Sequence, residues 1–252
     1  GDNGSSRFYI SLEDDLMRLF NMDRLATYMD RLSMDEDQEL SAGMLNRGVS
    51  NAQKKVEERN FAMRKHLLEY DDVLNQQREI IYDLRNKALL SESIKDTINE
   101  FIEDFIFDIV GDLDFKQMKD WDWQSINQQL NNNLLVNVDV NEIESLQSLD
   151  ELIDYINEEA LKYYKLKEDV IPTELLRKVE KFIVLKTIDE KWRNHLLGMD
   201  QLREGIGLRA YGQKNPLIEY KSESYNFFQE LMISLRSTVI QRVFHAQVSD
   251  QV

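Results

Sequence analysis

The side chains that could do chemistry are few, and their spacing argues against a catalytic centre. His66, His195 and His245 are the only imidazoles. No two stand three or four residues apart and none follows a glutamate by three, so the helical patterns that set two metal ligands on one face are missing; a site gathered from distant segments is the alternative. Adjacent acids occur at Asp14-Asp15, Asp71-Asp72 and Asp189-Glu190. Neighbours in sequence splay around a helix by about a quarter turn, which suits solvation and ion pairs better than acid–base work. The chain has no cysteine, which removes disulfides, thiolate zinc sites and cysteine nucleophiles and fits a reducing compartment. No GxxxxGK[ST], GxGxxG or GxSxG string is present, so neither a phosphate cradle nor a nucleophile elbow is expected. The reading is of a chain that works by binding and mechanical contact.

One segment departs from ordinary loop composition. Residues 205–216, GIGLRAYGQKNP, put three glycines among Ile206, Leu208, Arg209, Tyr211 and Lys214. A tyrosine ring offers broad contact at low entropy cost, and arginine and lysine can grip backbone carbonyls, so such a tip can hold a peptide without reading its sequence. The other role open to it is structural, with Leu208 and Tyr211 folded back to plug a hairpin end. Trp192, on the helix before the loop, is expected in the core.

The elements that would position this loop are helices. Only Pro172 and Pro216 can force a helix to stop. Ser11 with Asp14 is a capping-box pattern before Leu12, Leu16, Leu19 and Phe20, and a second short run follows through Leu25, Met29 and Leu32. An acidic link covers residues 35–39. Over residues 48–90 apolar side chains recur at threes and fours with no interior glycine or proline. This predicts one helix of roughly 60 Å, a spine along which other parts pack. Ser91 and Ser93 open an Ile- and Phe-rich helix over 98–110 that Gly111 ends. An aromatic and amide-rich stretch follows around Trp121, Trp123 and Asn131, and a second capping box, Ser148 with Glu151, starts another helix. These elements read as a small helical domain inserted between two halves of a larger one. Pro172 and Asn215-Pro216 each open a long apolar-striped helix, and the two make an antiparallel hairpin around the glycine-rich loop.

The formal charge is −16, and its distribution is uneven. Residues 89–169 carry 6 basic and 20 acidic side chains, whereas residues 170–245 carry 12 basic and 9 acidic. The acidic stretch is a solvated surface or a docking face for a basic partner, and it disfavours nucleic acid. The longest apolar run is four residues, 182–185, far short of the ~18 a membrane span needs. No charged-then-apolar leader opens the chain, and its abrupt GDNGSS start is expected to be a cut inside a longer protein.

Three long runs resemble the SecA family of ATP-driven preprotein motors: GDNGSSRFYISLEDDLMRLF at 1–20, VSNAQKKVEERNFAMRKHLLEYDDVLNQQREIIYDLR at 49–85, and IDEKWRNHLLGMDQLREGIGLRAYGQKNPLIEYK at 188–221. Residues 89–169 match in position and helical character but hardly in sequence. The resemblance implies an all-α fold in which a long scaffold helix, residues 49–88, packs with a two-helix finger, residues 170–245. A helical wing domain, 89–169, is inserted between them. Residues 1–48 would be the trailing edge of the second nucleotide-binding domain with lead-in helices, and 246–252 a tail. It implies that the finger loop reaches the mouth of the SecY channel and that Tyr211, flanked by Arg209, Gln213 and Lys214, contacts the translocating polypeptide. Family members commonly have Gly where this chain has Ala210 and Ala where it has Gly212, a swap that keeps the loop small.

The resemblance also implies partners and a place. Expected partners are the SecYEG channel, the preprotein and the ATPase domains of the same motor, on the cytoplasmic side of the inner membrane as a peripheral protein. ATP and magnesium would be held by those other domains, so no catalytic, metal or cofactor-binding residue is expected in this chain. A spine stripped of its ATPase contacts exposes an apolar stripe, so self-association is expected. The competing reading is a freestanding helical adaptor that binds a basic partner through its acidic third.

Overall fold

The computed structural model describes residues 3–6, 43–209 and 215–247. The two short lead-in helices, the Ser11 capping box, the 35–39 link and the end of the tail lie outside the described residues. Among the described residues there are six α-helices and one 3-10 helix: α1 Gly43–Leu90, α2 Lys95–Val110, the 3-10 helix Phe115–Asp120, α3 Trp123–Leu134, α4 Leu149–Val170, α5 Thr173–Arg209 and α6 Pro216–His245. The all-α expectation therefore holds. The chain divides into two compact units, residues 1–69 and 70–252.

Helix α1 is continuous over 48 residues. It begins before the expected start at Gly48, because a single interior glycine costs a helix only about 1 kcal/mol. In the second unit its residues Tyr70, Leu74, Gln77, Ile81, Leu84 and Ala88 lie on one buried or half-buried seam. The intervals alternate between four and three, the spacing of a helix that packs along another.

Helices α2, α3 and α4 follow. Ser93 Oγ accepts the Lys95 N–H at the start of α2. The Gly111 N–H donates to the Phe107 carbonyl at 2.7 Å, where a Cβ would come within 2.6 Å of that oxygen. Asp122 caps α3, and Leu135 ends it in the left-handed region with φ 59°. Ser148 caps α4 as expected, its Oγ accepting the Glu151 N–H at 3.2 Å, while the Glu151 carboxylate reaches one residue past the cap and accepts the Gln147 N–H at 2.6 Å. Ile98, Ile102, Ile106, Leu130, Leu134, Leu152 and Ile156 are fully buried or nearly so, and the apolar core they begin continues into α5 and α6 through Val184, Ile188, Leu235, Val239 and Ile240.

Helices α5 and α6 pack against each other. Pro172 offers its carbonyl to the first turn of α5, accepting from Leu175 and Leu176. Asn215 caps α6 by accepting the Leu217 N–H at 3.0 Å, with Pro216 in the first turn. Trp192 is buried, as expected of a core residue.

Candidate functional site

The loop that sequence singled out begins later than its glycines imply. Helix α5 runs through Gly205 and Gly207 to Arg209. Ile206 sits four residues after Leu202 and seven after Met199, so it continues the buried stripe. It is 2% exposed and clusters with Tyr70, Met199 and Tyr220. As a surface contact residue, Ile206 is therefore corrected to a core residue. Leu208 and Arg209 belong to the last turn of α5, and Tyr211, Gln213 and Lys214 lie outside the described residues. At this end of the hairpin Tyr70 and Tyr220 pack with ring centroids 4.7 Å apart, and Arg203 lies over the Tyr70 ring while pairing with Asp71 at 3.1 Å.

Deeper along the hairpin lies a junction that sequence reasoning did not find. Gln77 of α1 donates its amide to the Ser224 carbonyl of α6 at 3.1 Å, which turns its oxygen toward His195 of α5, 2.8 Å away. Gln77 is 6% exposed and His195 3%. Because the Gln77 oxygen can only accept, His195 carries its proton on Nε2 and donates it, leaving Nδ1 buried without a partner. Burial alone drives the His195 pKa down from 6.5 to about 4, so the ring is neutral at physiological pH. The imidazole is stacked between Trp192, at 5.4 Å, and Phe227, at 4.9 Å. Phe227 reaches it over Gly198, where a Cβ would fall 2.4 Å from the ring. The signal was present in the sequence as two polar residues at seam positions, Gln77 between Leu74 and Ile81 and His195 between Trp192 and Met199.

At the other end of the hairpin a charged network joins four helices. Buried Glu180 accepts from the Tyr164 hydroxyl and from Arg177, each at 2.6 Å. Arg177 also bonds Glu168, both of whose carboxylate oxygens accept from the Lys95 ammonium of α2 at 2.7 Å. Burial works against the charge on Glu168, but the hydrogen bond and charge of Lys95, with Arg177 behind it, hold its carboxyl below the usual range. Burial would likewise lower Arg177, yet its bonds to Tyr164 and Glu180 push it up. Lys167 caps the end of α6 through the Val243 and Phe244 carbonyls. A shallow groove of about 370 Å³ beside this end is lined by Phe182, Ile183, Lys186, Arg242, His245 and Ala246.

The remaining candidates disperse. His66, His195 and His245 stand on α1, α5 and α6, and the His245 ring meets the Asn132 carbonyl at 3.0 Å. Asp189 pairs with Arg85 and Glu190 with Arg242, both at 3.0 Å. Asp72 accepts from Gln76, and Asp14-Asp15 lie outside the described residues.

A model of the SecA wing and scaffold domain matches residues 39–247, and a model of the SecA P-loop domain matches residues 1–37. The chain is 42% identical over 250 residues to the protein translocase subunit SecA of Heliobacterium modesticaldum, which covers 98% of this chain and 30% of that protein. It is 43% identical to the subunit of Syntrophomonas wolfei, over 100% of this chain and 31% of the other. With the protein translocase subunit SecA 1 of Chlorobium chlorochromatii it shares 44% identity, over 97% and 24%. The chain thus spans less than a third of the length of these relatives. With a domain model matched over most of its residues, the chain belongs to the SecA family and carries that family's wing and scaffold region.

Proposed function

We propose that this chain is the scaffold, wing and finger part of a SecA-type motor that drives preproteins through the SecY channel. Residues 49–88 and 170–245 serve as the scaffold with its two-helix finger, 89–169 as the wing, and 1–48 as the trailing edge of a nucleotide-binding domain. The observation that carries this reading is the wing-and-scaffold match over residues 39–247, joined to an α5–α6 hairpin braced along residues 70–90 of α1. Arg85–Asp189, Gln77–His195 and Asp71–Arg203 are the braces. Passing a displacement to a distant loop requires stiff elements in continuous contact, and these braces supply one such contact. ATP and magnesium are held by other parts of the motor, and this region binds and transmits rather than hydrolyses.

At the loop, Tyr211 presses its ring on the moving polypeptide while Arg209, Gln213 and Lys214 offer donors to its carbonyls and Leu208 adds apolar contact. The partners are the preprotein, the SecYEG channel and the motor's own ATPase domains, on the cytoplasmic face of the membrane. No helix among the described residues is long and apolar enough to cross it. Exposed Phe61, Met63, Leu67 and Leu68 on α1 favour a covering partner within the motor, or self-association when it is absent.

The test is Tyr211→Ala in the intact motor, with ATP hydrolysis and preprotein translocation measured together. The expected result is translocation slowed about tenfold, the effect of losing a contact worth about 1.4 kcal/mol, with hydrolysis retained. Translocation at the unsubstituted rate removes Tyr211 from the mechanism.

A further inference from the structure

Two helices of the second unit carry matching seams. On α1 the seam is Tyr70, Leu74, Gln77, Ile81, Leu84 and Ala88; on α5 it is Ile188, Trp192, His195, Met199, Leu202 and Ile206. Both follow the same alternation of four and three, and each has one polar member that is more than nine-tenths buried, Gln77 and His195. Those two members meet each other at 2.8 Å. The contacts on either side run in one antiparallel order, Arg85 with Asp189, then Gln77 with His195, then Asp71 with Arg203.

Apolar seams of this kind do not choose their own alignment, since dispersion and burial are nearly unchanged when one helix slides by a turn of about 5.4 Å. The two outer rungs do not choose it either. Arg85 and Asp189 are 38% and 51% exposed, and Arg203 and Asp71 are 40% and 52% exposed, so water replaces either partner at little cost. The central rung differs. In any other alignment the Gln77 oxygen and the His195 N–H face apolar side chains, and neither has a route to solvent. Gln77 also holds the Ser224 carbonyl, so the same amide fixes α6. Gly198 leaves room for Phe227 to close over the imidazole, which locks the ring in the plane that Gln77 requires.

We infer that Gln77 and His195 are positioning residues, a buried polar pin that sets the axial register of the α5–α6 hairpin on α1. This rests on the finger reading for its consequence, since the register of the hairpin decides how far its loop projects. The pin itself is a property of this chain. The unpartnered Nδ1 fits a specifying role, because apolar residues of the same size would pack there without leaving a buried acceptor unsatisfied.

The test uses the whole 252-residue chain, which has no native cysteine to interfere with labelling. Spin labels are attached through Glu79→Cys on α1 and Asn194→Cys on α5, both exposed positions, and the distance distribution is read by pulsed electron resonance. The unsubstituted pair gives one narrow distance. The apolar pair Gln77→Leu with His195→Phe keeps the melting temperature but shows a second population, displaced by about one helical turn and filled to tens of per cent where it was below about 1%. His195→Gln beside the native Gln77, which keeps a donor facing the Gln77 oxygen, keeps the single distance. A folded double variant with the single narrow distance overturns the proposal. If the double variant does not fold, Gln77→Leu alone is read the same way, and a single narrow distance there overturns it equally. Register is read here in distances and the finger reading in translocation by Tyr211→Ala, so either can fail alone.

Discussion

Lowering the pH should weaken this fold in part through His195, and the size of that part follows from the burial of its ring. The ring titrates near 4 in the folded chain against 6.5 when free, and burial is the cause. Below pH 6.5 the unfolded chain takes up a proton that the folded chain refuses, so the stability His195 contributes is fully present above 6.5 and is lost as pH falls toward 4. A separation of about 2.5 units corresponds to about 3 kcal/mol, of which about 2 kcal/mol disappears between pH 7 and pH 4.5. Glu168, whose carboxyl is held low by Lys95 and Arg177 against its burial, also loses stability in acid, but it does so whatever occupies position 195. The assay is therefore a difference. Urea unfolding followed by helical circular dichroism is measured from pH 7.5 to 4 for the unsubstituted chain and for His195→Gln. The two stability curves should converge by about 2 kcal/mol as the pH falls to 4.5. Parallel curves would show that the imidazole takes up its proton as readily inside the fold as outside it, and the argument that burial keeps His195 neutral would fall.

Two further outcomes follow from the same packing. Gly198→Ala adds a Cβ 2.4 Å from the Phe227 ring; in a Phe227→Ala background it should stabilise the chain by about 1 kcal/mol through helix propensity, whereas in the unsubstituted chain overpacking of about 1–3 kcal/mol cancels or reverses that gain. Equal effects in both backgrounds, measured by urea unfolding, would refute the contact. Arg177→Met strands Glu180, which is fully buried, and should cost about 3–5 kcal/mol, while Arg85→Met breaks an exposed pair and should cost less than about 1 kcal/mol. Similar losses from the two substitutions would show that the buried network is not the stronger tie.

The helices were legible because their signals are local. Ser148 with Glu151, Asn215-Pro216 and Pro172 each act within a few residues of themselves, and the structure uses all of them at helix starts. The start of the glycine-rich loop was misread for a related reason. Gly205 and Gly207 look like a break when counted as glycines, but the turn they occupy also carries Ile206, and burying that side chain against Tyr70 and Tyr220 outweighs the propensity cost of two glycines. The Gln77–His195–Ser224 junction was out of reach because its partners are separated by 118 and 147 residues. Sequence marks each as a polar residue on an apolar stripe, and only the fold shows that they answer one another.

The uneven charge along the chain has a structural use that an unfolded reading of it conceals. Residues 89–169 are strongly acidic and residues 170–245 mildly basic, and the places where these segments touch are where opposite charges meet. Arg236 of α6 pairs with Asp108 of α2 at 2.6 Å and lies 3.6 Å from Asp104, while its side chain is only 14% exposed. Arg177 of α5 closes on Glu168 of α4, and Lys181 of α5 crosses the same boundary to the Ser91 carbonyl. Part of the acidic surplus is thus consumed in fastening α2 and α4 to the hairpin, through arginines only 13% and 14% exposed, which weakens screening by salt. A basic partner is not needed to account for those carboxylates. What the segregation does provide is a directed tie at that boundary: Arg236 of α6 and Arg177 of α5 each meet a carboxylate of α2 or α4, adding to the apolar core that these helices share.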